Sequence, residues 1–412
     1  MTNAFSIKEY EKLETSKACC DLAGLEKYLE RNKLETALKI TPSGIKANHF
    51  VGVIKYKNFQ LQVLPKLITE ENASEDLILK NLIFMLSYTR KLDIKTTDSV
   101  NLSKSQNPFL EILIKEFANS LFEALKRLTP KNYVREEDNL NFLKGKIKFS
   151  ENIRHNCVNQ AKFYCEYDEF SENNILNQLF LYVATSLYEV SKNSENKRVL
   201  KLIIDYFADI KIVRFDKFKC DKIRLNRNQI LFEKPFKLAK MFVENSSVDL
   251  SKNRIENISL VWDMNKLFEE FIYEVMRKID GLTVEAQKTK RLLRRNDGTT
   301  RRDTKVDIMV NNKVLDTKYK RFENFDDVSS ADIYQVTTYC LLHDTNEAIL
   351  LYPQWNDKPM EEDFILNLPK NVEVNYNLKL ASVNLRRDLK NDLNSVIQEL
   401  KDIILGVDNA RN

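Results

Sequence analysis

The sequence predicts an α/β multidomain protein. A small β-rich N-terminal domain, a helical middle region and a C-terminal domain with a central mixed sheet flanked by helices are expected. Three observations predict this. Apolar residues alternate with period two around residues 50–64, recur at helical spacing through 75–128 and 174–207, and then switch repeatedly between the two periods after residue 260. The chain has 412 residues, enough for two or three domains at about 150 residues each. The expected division is 1–70, 71–250 and 251–412. With only 7 Gly and 8 Pro, long helices and short loops are favoured over linker-rich or fibrous architectures.

Taken in order, the first 70 residues mix a short helix with strands. Phe50–Tyr56 and Phe59–Leu64 read as two strands joined at Lys57-Asn58 and closed by Pro65, with Val51/Val53 and Leu61/Val63 on a half-buried face. From Glu75 to Leu128 the apolar residues form helical stripes, punctuated by Pro108 and Pro130. Tyr133–Asp168 reads as short strands and turns around Gly145, and Asn174–Phe207 as a second helical block. Ser251–Ser259 is polar, lacks a stripe and is taken as the boundary before the last domain. That domain reads as a helix (Met264–Ile279), strands Leu282–Arg295 and Thr299–Val310 around the turn Asn296-Asp297-Gly298, a strand Val314–Tyr319 after the turn Asn311-Asn312, a helix Ala331–Leu342 and a strand Ala348–Tyr352.

Composition excludes several classes. No apolar run reaches the ~18 residues that span a bilayer, so no membrane association is expected. The start, MTNAFSIKEYEKLE, lacks a basic segment followed by an apolar one, so no signal peptide is expected. Six Cys stand without metal-ligand spacing, Cys19–Cys20 adjacent and the rest alone, which fits small buried hydrophobes in a reducing cytoplasm. Three distant histidines (His49, His155, His343) argue against a His-rich metal site. No Gly-x-x-x-x-Gly-Lys-[Ser/Thr] loop is present, so the chain is not itself expected to be a P-loop NTPase. A net charge of +5 is too mild to signal nucleic-acid binding, and its distribution matters more.

The chemistry-bearing segment is Val306–Lys320, VDIMVNNKVLDTKYK. Val306, Ile308 and Val310 alternate with Asp307, so the aspartate faces away from the core. Asp316 and Lys318 share one face of the next strand, with Leu315 and Thr317 on the other, and a tight hairpin lets Asp307 meet them across the ladder. Two carboxylates on neighbouring strands suit a hard cation such as Mg²⁺, with Mn²⁺ as a substitute, and a lysine on the same face can hold a water or a phosphate. An exposed strand face with a cross-strand ion pair is the plain alternative. Asp332, Gln335 and Tyr339 lie on one face of the following helix. Glu269 flanks the apolar stripe of the first helix and can approach the sheet end, whereas Glu270 points away; a solvated helix glutamate is its alternative. Lys288, Lys290, Arg291, Arg294, Arg295, Arg301, Arg302 and Lys305 stand against only Asp297 and Asp303, a basic hairpin suited to duplex phosphates.

The chain resembles the McrC-like nuclease subunits of McrBC-type and LlaJI-type restriction systems. Four stretches carry the resemblance: VGVIKYKNFQLQVLPKL (Val51–Leu67), FLKGKIKF through CEYDEFSENNILN (Phe142–Asn177), MNKLFEEF (Met264–Phe271), and VDIMV, LDTKYK and DIYQ within Val306–Gln335. The resemblance implies a PD-(D/E)xK endonuclease domain with Asp307, Asp316 and Lys318 as its catalytic trio, Asp307 and Asp316 holding the metal, and Glu269 and Gln335 in accessory positions. Val306 stands where such motifs often carry proline. The resemblance also implies a McrB-like hexameric AAA+ GTPase partner that binds the N-terminal part and is stimulated by it, with double-stranded DNA as substrate. Glu285 and Lys320 are further candidates for the active site. Two rivals remain open: a catalytically inactive activator of an AAA+ GTPase, which the intact Asp307/Asp316/Lys318 set opposes, and a stand-alone RecB-like nuclease with an iron–sulfur cluster, which the cysteine spacing opposes.

Overall fold

The computed structural model describes residues 3–14, 21–66, 74–92, 108–158, 160–249, 254–296, 301–366 and 375–406. The chain gathers into two compact units: Met1–Val53 with Asn58–Gln106 and Val261–Asn412, and Ile54–Lys57 with Asn107–Leu260.

In the first unit, β1 (Asn3–Lys8) pairs in parallel with β6 (Phe59–Leu64). A small antiparallel sheet runs β2 (Lys12–Glu14), β4 (Gly44–Ala47), β3 (Leu38–Thr41). Helix α1 (Leu22–Arg31) is capped by Asp21, whose carboxylate accepts from Gly24 N at 2.9 Å. β5 (Phe50–Tyr56) lies beside β6 as expected, but β6 is buried at every position and not on one face only, and Lys57 in their connection takes a φ of 50°. Helix α2 (Glu75–Tyr88) carries a fully buried amide, Asn81, which donates to Arg387 O at 2.8 Å and accepts from Leu389 N at 3.1 Å. Its polar atoms are thereby satisfied, and the helix is held to a loop 306 residues away in sequence.

The rest of this unit is built on one mixed sheet of six strands. Helix α9 (Met264–Met276) precedes β12 (Val284–Arg294), β13 (Arg301–Val310) and β14 (Lys313–Thr317), which pair antiparallel. Helix α10 (Ser330–His343) then carries the chain over to β15 (Glu347–Pro353), parallel to β14. β17 (Asn377–Val383), β16 (Glu361–Ile365) and the last helix, α11 (Leu393–Leu405), complete it; these three were not anticipated from the sequence. The stripe of α9 is buried throughout at Leu267, Phe268, Phe271, Ile272, Val275 and Met276. Each such side chain contributes about 1.5–3 kcal/mol of burial. On one face of the sheet, Val306, Val314, Leu350 and Leu380 pack with Val336, Tyr339 and Cys340 of α10. Asn311 and Asn312 make the expected two-residue turn, with φ of 46° and 64°. In the other expected turn Asp297 and Gly298 lie outside the described residues.

The second unit is mainly helical: α3 (Pro108–Leu125), α4 (Phe149–Asn156), α5 (Ile175–Val190), α6 (Ser194–Tyr206), α7 (Lys217–Lys222) and α8 (Glu233–Glu244). Pro108 occupies the first helical position, where its missing N–H costs nothing. Buried Glu111 accepts from Ser191 Oγ at 2.7 Å, Asn196 Nδ2 at 2.8 Å and Lys192 N at 2.6 Å, so its burial is compensated. β7 (Asn132–Leu140) and β8 (Lys146–Ile147) flank β9 (Phe163–Ser171). Gly145 before β8 has φ +69°, and a Cβ there would fall 2.4 Å from Glu166 O. The sequence reading expected only strands and turns in this stretch and missed α4.

The polar stretch Ser251–Ser259, read as the boundary before the last domain, is occupied over its described part by β11 (Arg254–Asp263), antiparallel to β10 (Ser246–Asp249), and the second unit ends beside it at Leu260. Ile255, Ile258 and Leu260 are buried there. Asn257 and Ser259 are buried too and mask the apolar pattern; Asn257 Nδ2 is satisfied by Ser247 Oγ at 2.8 Å. No helix of the described residues is long and apolar enough to cross a membrane. Cys157, Cys165, Cys220 and Cys340 are free thiols, the last three buried, and Cys19–Cys20 lie outside the described residues.

Candidate active site

The C-terminal edge of β14 collects the acidic and basic side chains singled out in the sequence. β13 and β14 pair in register up to Ile308 opposite Leu315. Asp307 and Asp316 follow one step beyond that pair. Asp316 is 1% exposed; its Oδ2 meets the Lys318 ammonium at 2.6 Å, and its Oδ1 has no hydrogen-bond partner among the described residues. Burial first, and then the charge of Asp307, push the Asp316 carboxyl up to about 6 against the pull of Lys318. Burial and the neighbouring acid thus outweigh the one ammonium in contact.

Asp307 is held differently. Its Oδ2 accepts from Thr317 N at 3.0 Å and Thr317 Oγ1 at 3.1 Å. Alternation along the strand placed the Thr317 side chain on the far face; the structure brings it to Asp307. Thr317 is the last residue of β14, still paired with Leu351 of β15 but beyond the ladder with β13.

Lys318 is anchored by its own N–H to Leu351 O at 2.9 Å. Its ammonium donates to Gln335 Oε1 at 2.9 Å and lies 3.6 Å from Asp332. Burial opposes the charge on Lys318, but Asp316, Asp332 and Asp307 together outweigh it and raise the pKa. Gln335 passes its amide on to Tyr339 OH at 2.7 Å, so the i, i+4 pair on α10 fixes the amide's orientation. Lys320 pairs with Asp332 at 2.9 Å, outside the Asp307–Asp316 centre.

From α9, Glu269 comes to the same centre. Burial and the charge of Asp307 push its carboxyl up to about 7. It accepts a hydrogen bond from Gln287 Nε2 of β12. Glu270 instead turns to Lys91, 2.8 Å away. Gln287 escaped the sequence reading altogether: no motif marks it, and only the β12–β13 register brings it near Asp307. Asp307, Asp316, Lys318, Glu269 and Gln335 are thus gathered into one cluster, whereas Glu285 is exposed and paired with Lys288 at 2.6 Å.

Could this cluster hold a cation? Among the described residues no three His, Cys, Asp or Glu side chains form a ready-made cage. Mg²⁺ needs none, since it keeps several waters and takes one or two carboxylates. Asp316, buried with Oδ1 lacking a hydrogen-bond partner among the described residues, fits that demand, with Asp307 as the second carboxylate.

β12 and β13 run on beyond the sheet as an exposed ribbon. Lys288 and Arg291 are neutralised by Glu285 and Asp303, the latter pair at 3.9 Å. Lys290, Arg294, Arg295, Arg302 and Lys305 are exposed and have no ion-pair partner among the described residues. The Arg301 side chain lies outside the described residues.

The sequence profile of the family described as McrBC 5-methylcytosine restriction system component matches residues 45–353. No curated protein matches the chain. Among solved structures, a chain from the tetradecameric assembly of Thermococcus gammatolerans McrB AAA+ hexamers with bound McrC superposes with a TM-score of 0.73 at 22% identity, covering 97% of this chain and 99% of its own length. A chain of the Thermococcus gammatolerans McrBC complex gives a TM-score of 0.53 at 24% identity over 66% of this chain and 87% of that one.

Proposed function

The chain belongs to the McrBC 5-methylcytosine restriction system component family, and from that membership we propose that it is a Mg²⁺-dependent DNA endonuclease subunit working with a hexameric AAA+ GTPase. The order α9–β12–β13–β14–α10–β15 supports reading this sheet as a PD-(D/E)xK nuclease core. The observation that carries the proposal is the buried Asp316 carboxylate, pressed by Asp307, with one oxygen on Lys318 and the other without a hydrogen-bond partner among the described residues.

Asp307 and Asp316 would hold Mg²⁺, or Mn²⁺ in its place. When bound, such an ion acidifies a water and neutralises charge developing on the phosphate. Thr317 fixes one oxygen of Asp307 and leaves the other available. Lys318 stays charged at neutral pH because three aspartates raise its pKa, so it acts as a donor to the attacking water or the scissile phosphate rather than as a base. Gln335 and Asp332 aim that ammonium. Glu269, pushed up to about 7, is poised to exchange a proton near neutrality. The unpaired cations of the β12–β13 ribbon would grip duplex phosphates without reading sequence.

One similar solved structure contains McrB AAA+ hexamers with bound McrC, which supports a ring-shaped AAA+ partner. The absence of a P-loop from this sequence agrees with an external motor. The test is plasmid cleavage by the full chain with its AAA+ partner, GTP and Mg²⁺, comparing wild type with Asp316→Ala on DNA that carries the cognate site. Cleavage by wild type alone, with nucleotide hydrolysis intact in both, supports the nuclease. Stimulated hydrolysis without cleavage by either replaces it with the inactive-activator reading.

A further inference from the structure

Gln287 occupies an unusual place in β12. Ala286 stands opposite Ile308 and Lys288 opposite Val306, so Gln287 lies across from Asp307. Its φ is +58°, although the strand remains paired on both sides of it. In that left-handed region a Cβ is crowded by the following carbonyl, and glycine, asparagine and aspartate are the usual occupants. A glutamine there, inside a strand and not in a turn, is conformationally strained. Such strain persists only where the surroundings hold it, and it clusters at functional sites. The holding contact is present: Gln287 Nε2 donates to Glu269 Oε1.

We propose that Gln287 is a positioning residue of the nuclease site, its amide fixing the Glu269 carboxyl beside Asp307, with the left-handed backbone retained for that contact. The inference rests on the nuclease reading above. Two features separate it from a purely structural role. First, the hydrogen bond goes to a carboxylate in the acidic cluster and not to the backbone of β12 or β13. Second, the backbone conformation opposes folding, so a residue chosen for the fold alone would be glycine.

The test uses Gln287→Gly, which removes the amide and the strain together, and Gln287→Asn, which accepts the left-handed backbone but is one methylene too short. Two quantities are measured: the melting temperature of the metal-free full chain, and plasmid cleavage with the AAA+ partner, GTP and Mg²⁺. Both variants are expected to melt at or above the wild-type temperature while cleavage falls by about 10–100-fold. Added to Glu269→Gln, either change is expected to lower cleavage no further, because both act through one contact. Cleavage at the wild-type rate overturns the inference. So does a loss of cleavage matched by a fall in melting temperature, which assigns Gln287 to the fold. So does an additive loss in the Glu269→Gln background. If wild type itself fails to cleave DNA bearing the cognate site, the nuclease reading falls and takes this inference with it; if wild type cleaves and Asp316→Ala does not, the nuclease reading stands whichever way Gln287 behaves.

Discussion

Asp316 and Lys318 touch, yet their surroundings treat the two charges oppositely. Burial and Asp307 disfavour the Asp316 carboxylate so strongly that its ion pair with Lys318 does not restore it. Three aspartates favour the Lys318 ammonium in spite of burial. Removing the two charges should therefore shift stability in opposite directions. The raised Asp316 pKa means that the folded protein binds a proton the unfolded chain releases, so its penalty grows as pH rises from the usual carboxylate value toward 6 and is complete above it. Asp316→Asn is expected to raise the metal-free melting temperature at pH 8, with the gain shrinking below pH 6 and vanishing near pH 4. Lys318→Ala leaves a buried carboxylate with no cation in contact and is expected to cost about 3–5 kcal/mol at pH 8. Thermal melts in a chelator check both, and a destabilised Asp316→Asn would contradict the electrostatic account. Adding Mg²⁺ is expected to raise the wild-type melting temperature and leave that of Asp316→Asn unchanged.

Among the elements, those with clean periodicity were legible. Helix α9 carries an unbroken apolar stripe, and β13 and β14 are joined by two asparagines that accept positive φ. The same regularity brought Asp307, Asp316, Lys318 and Gln335 within reach of one another on paper. Where polar side chains are buried against partners, the strand signal failed: Asn257 and Ser259 mask the alternation of β11. Gln287 was invisible because its position follows from backbone conformation and register, neither of which residue type announces. Thr317 was misjudged because it closes β14, where both its N–H and its hydroxyl turn to Asp307. The basic hairpin was legible as charge, but pairing removes Lys288 and Arg291 from the count of free cations. A triple change of Lys290, Arg294 and Arg302 to Ala is therefore expected to weaken duplex binding equally across sequences and to reduce the slope of log K against log salt by about 3. Changing Lys288 and Arg291 together is expected to alter it by less than about 1. Equal slopes for the two variants would show that the ribbon does not contact phosphates.

At the scale of the whole molecule, the sequence says nothing about which distant residues meet, and the most consequential meeting is between residues 310 apart. Glu9, fully buried after β1, accepts from Tyr319 OH at 2.8 Å and from Lys66 N at 2.9 Å through Oε2, while Oε1 has no hydrogen-bond partner. Tyr319 lies between Lys318 and Lys320 and packs on Phe268 with ring centroids 5.9 Å apart. The first strand is thereby tied beneath the acidic cluster by one carboxyl. Burial pushes that carboxyl up to about 8, the two hydrogen bonds only partly offsetting it and Asp263 adding repulsion. The sign follows directly. Between the unfolded value near 4.5 and about 8, the folded state holds a proton that the unfolded state has lost, so stability falls as pH rises through that window. Asp316 and Glu269 add slopes of the same sign that end near 6 and 7. Glu9→Gln keeps a carbonyl oxygen for both donors and cannot ionise. Its difference from wild type isolates Glu9, since the other two groups are common to both. The melting temperature of wild type is expected to drop more than that of Glu9→Gln between pH 6 and pH 8.5, with the curves converging toward pH 5. Parallel curves would mean that Glu9 is ionised throughout, and that the tie between the first strand and Tyr319 is a charged one.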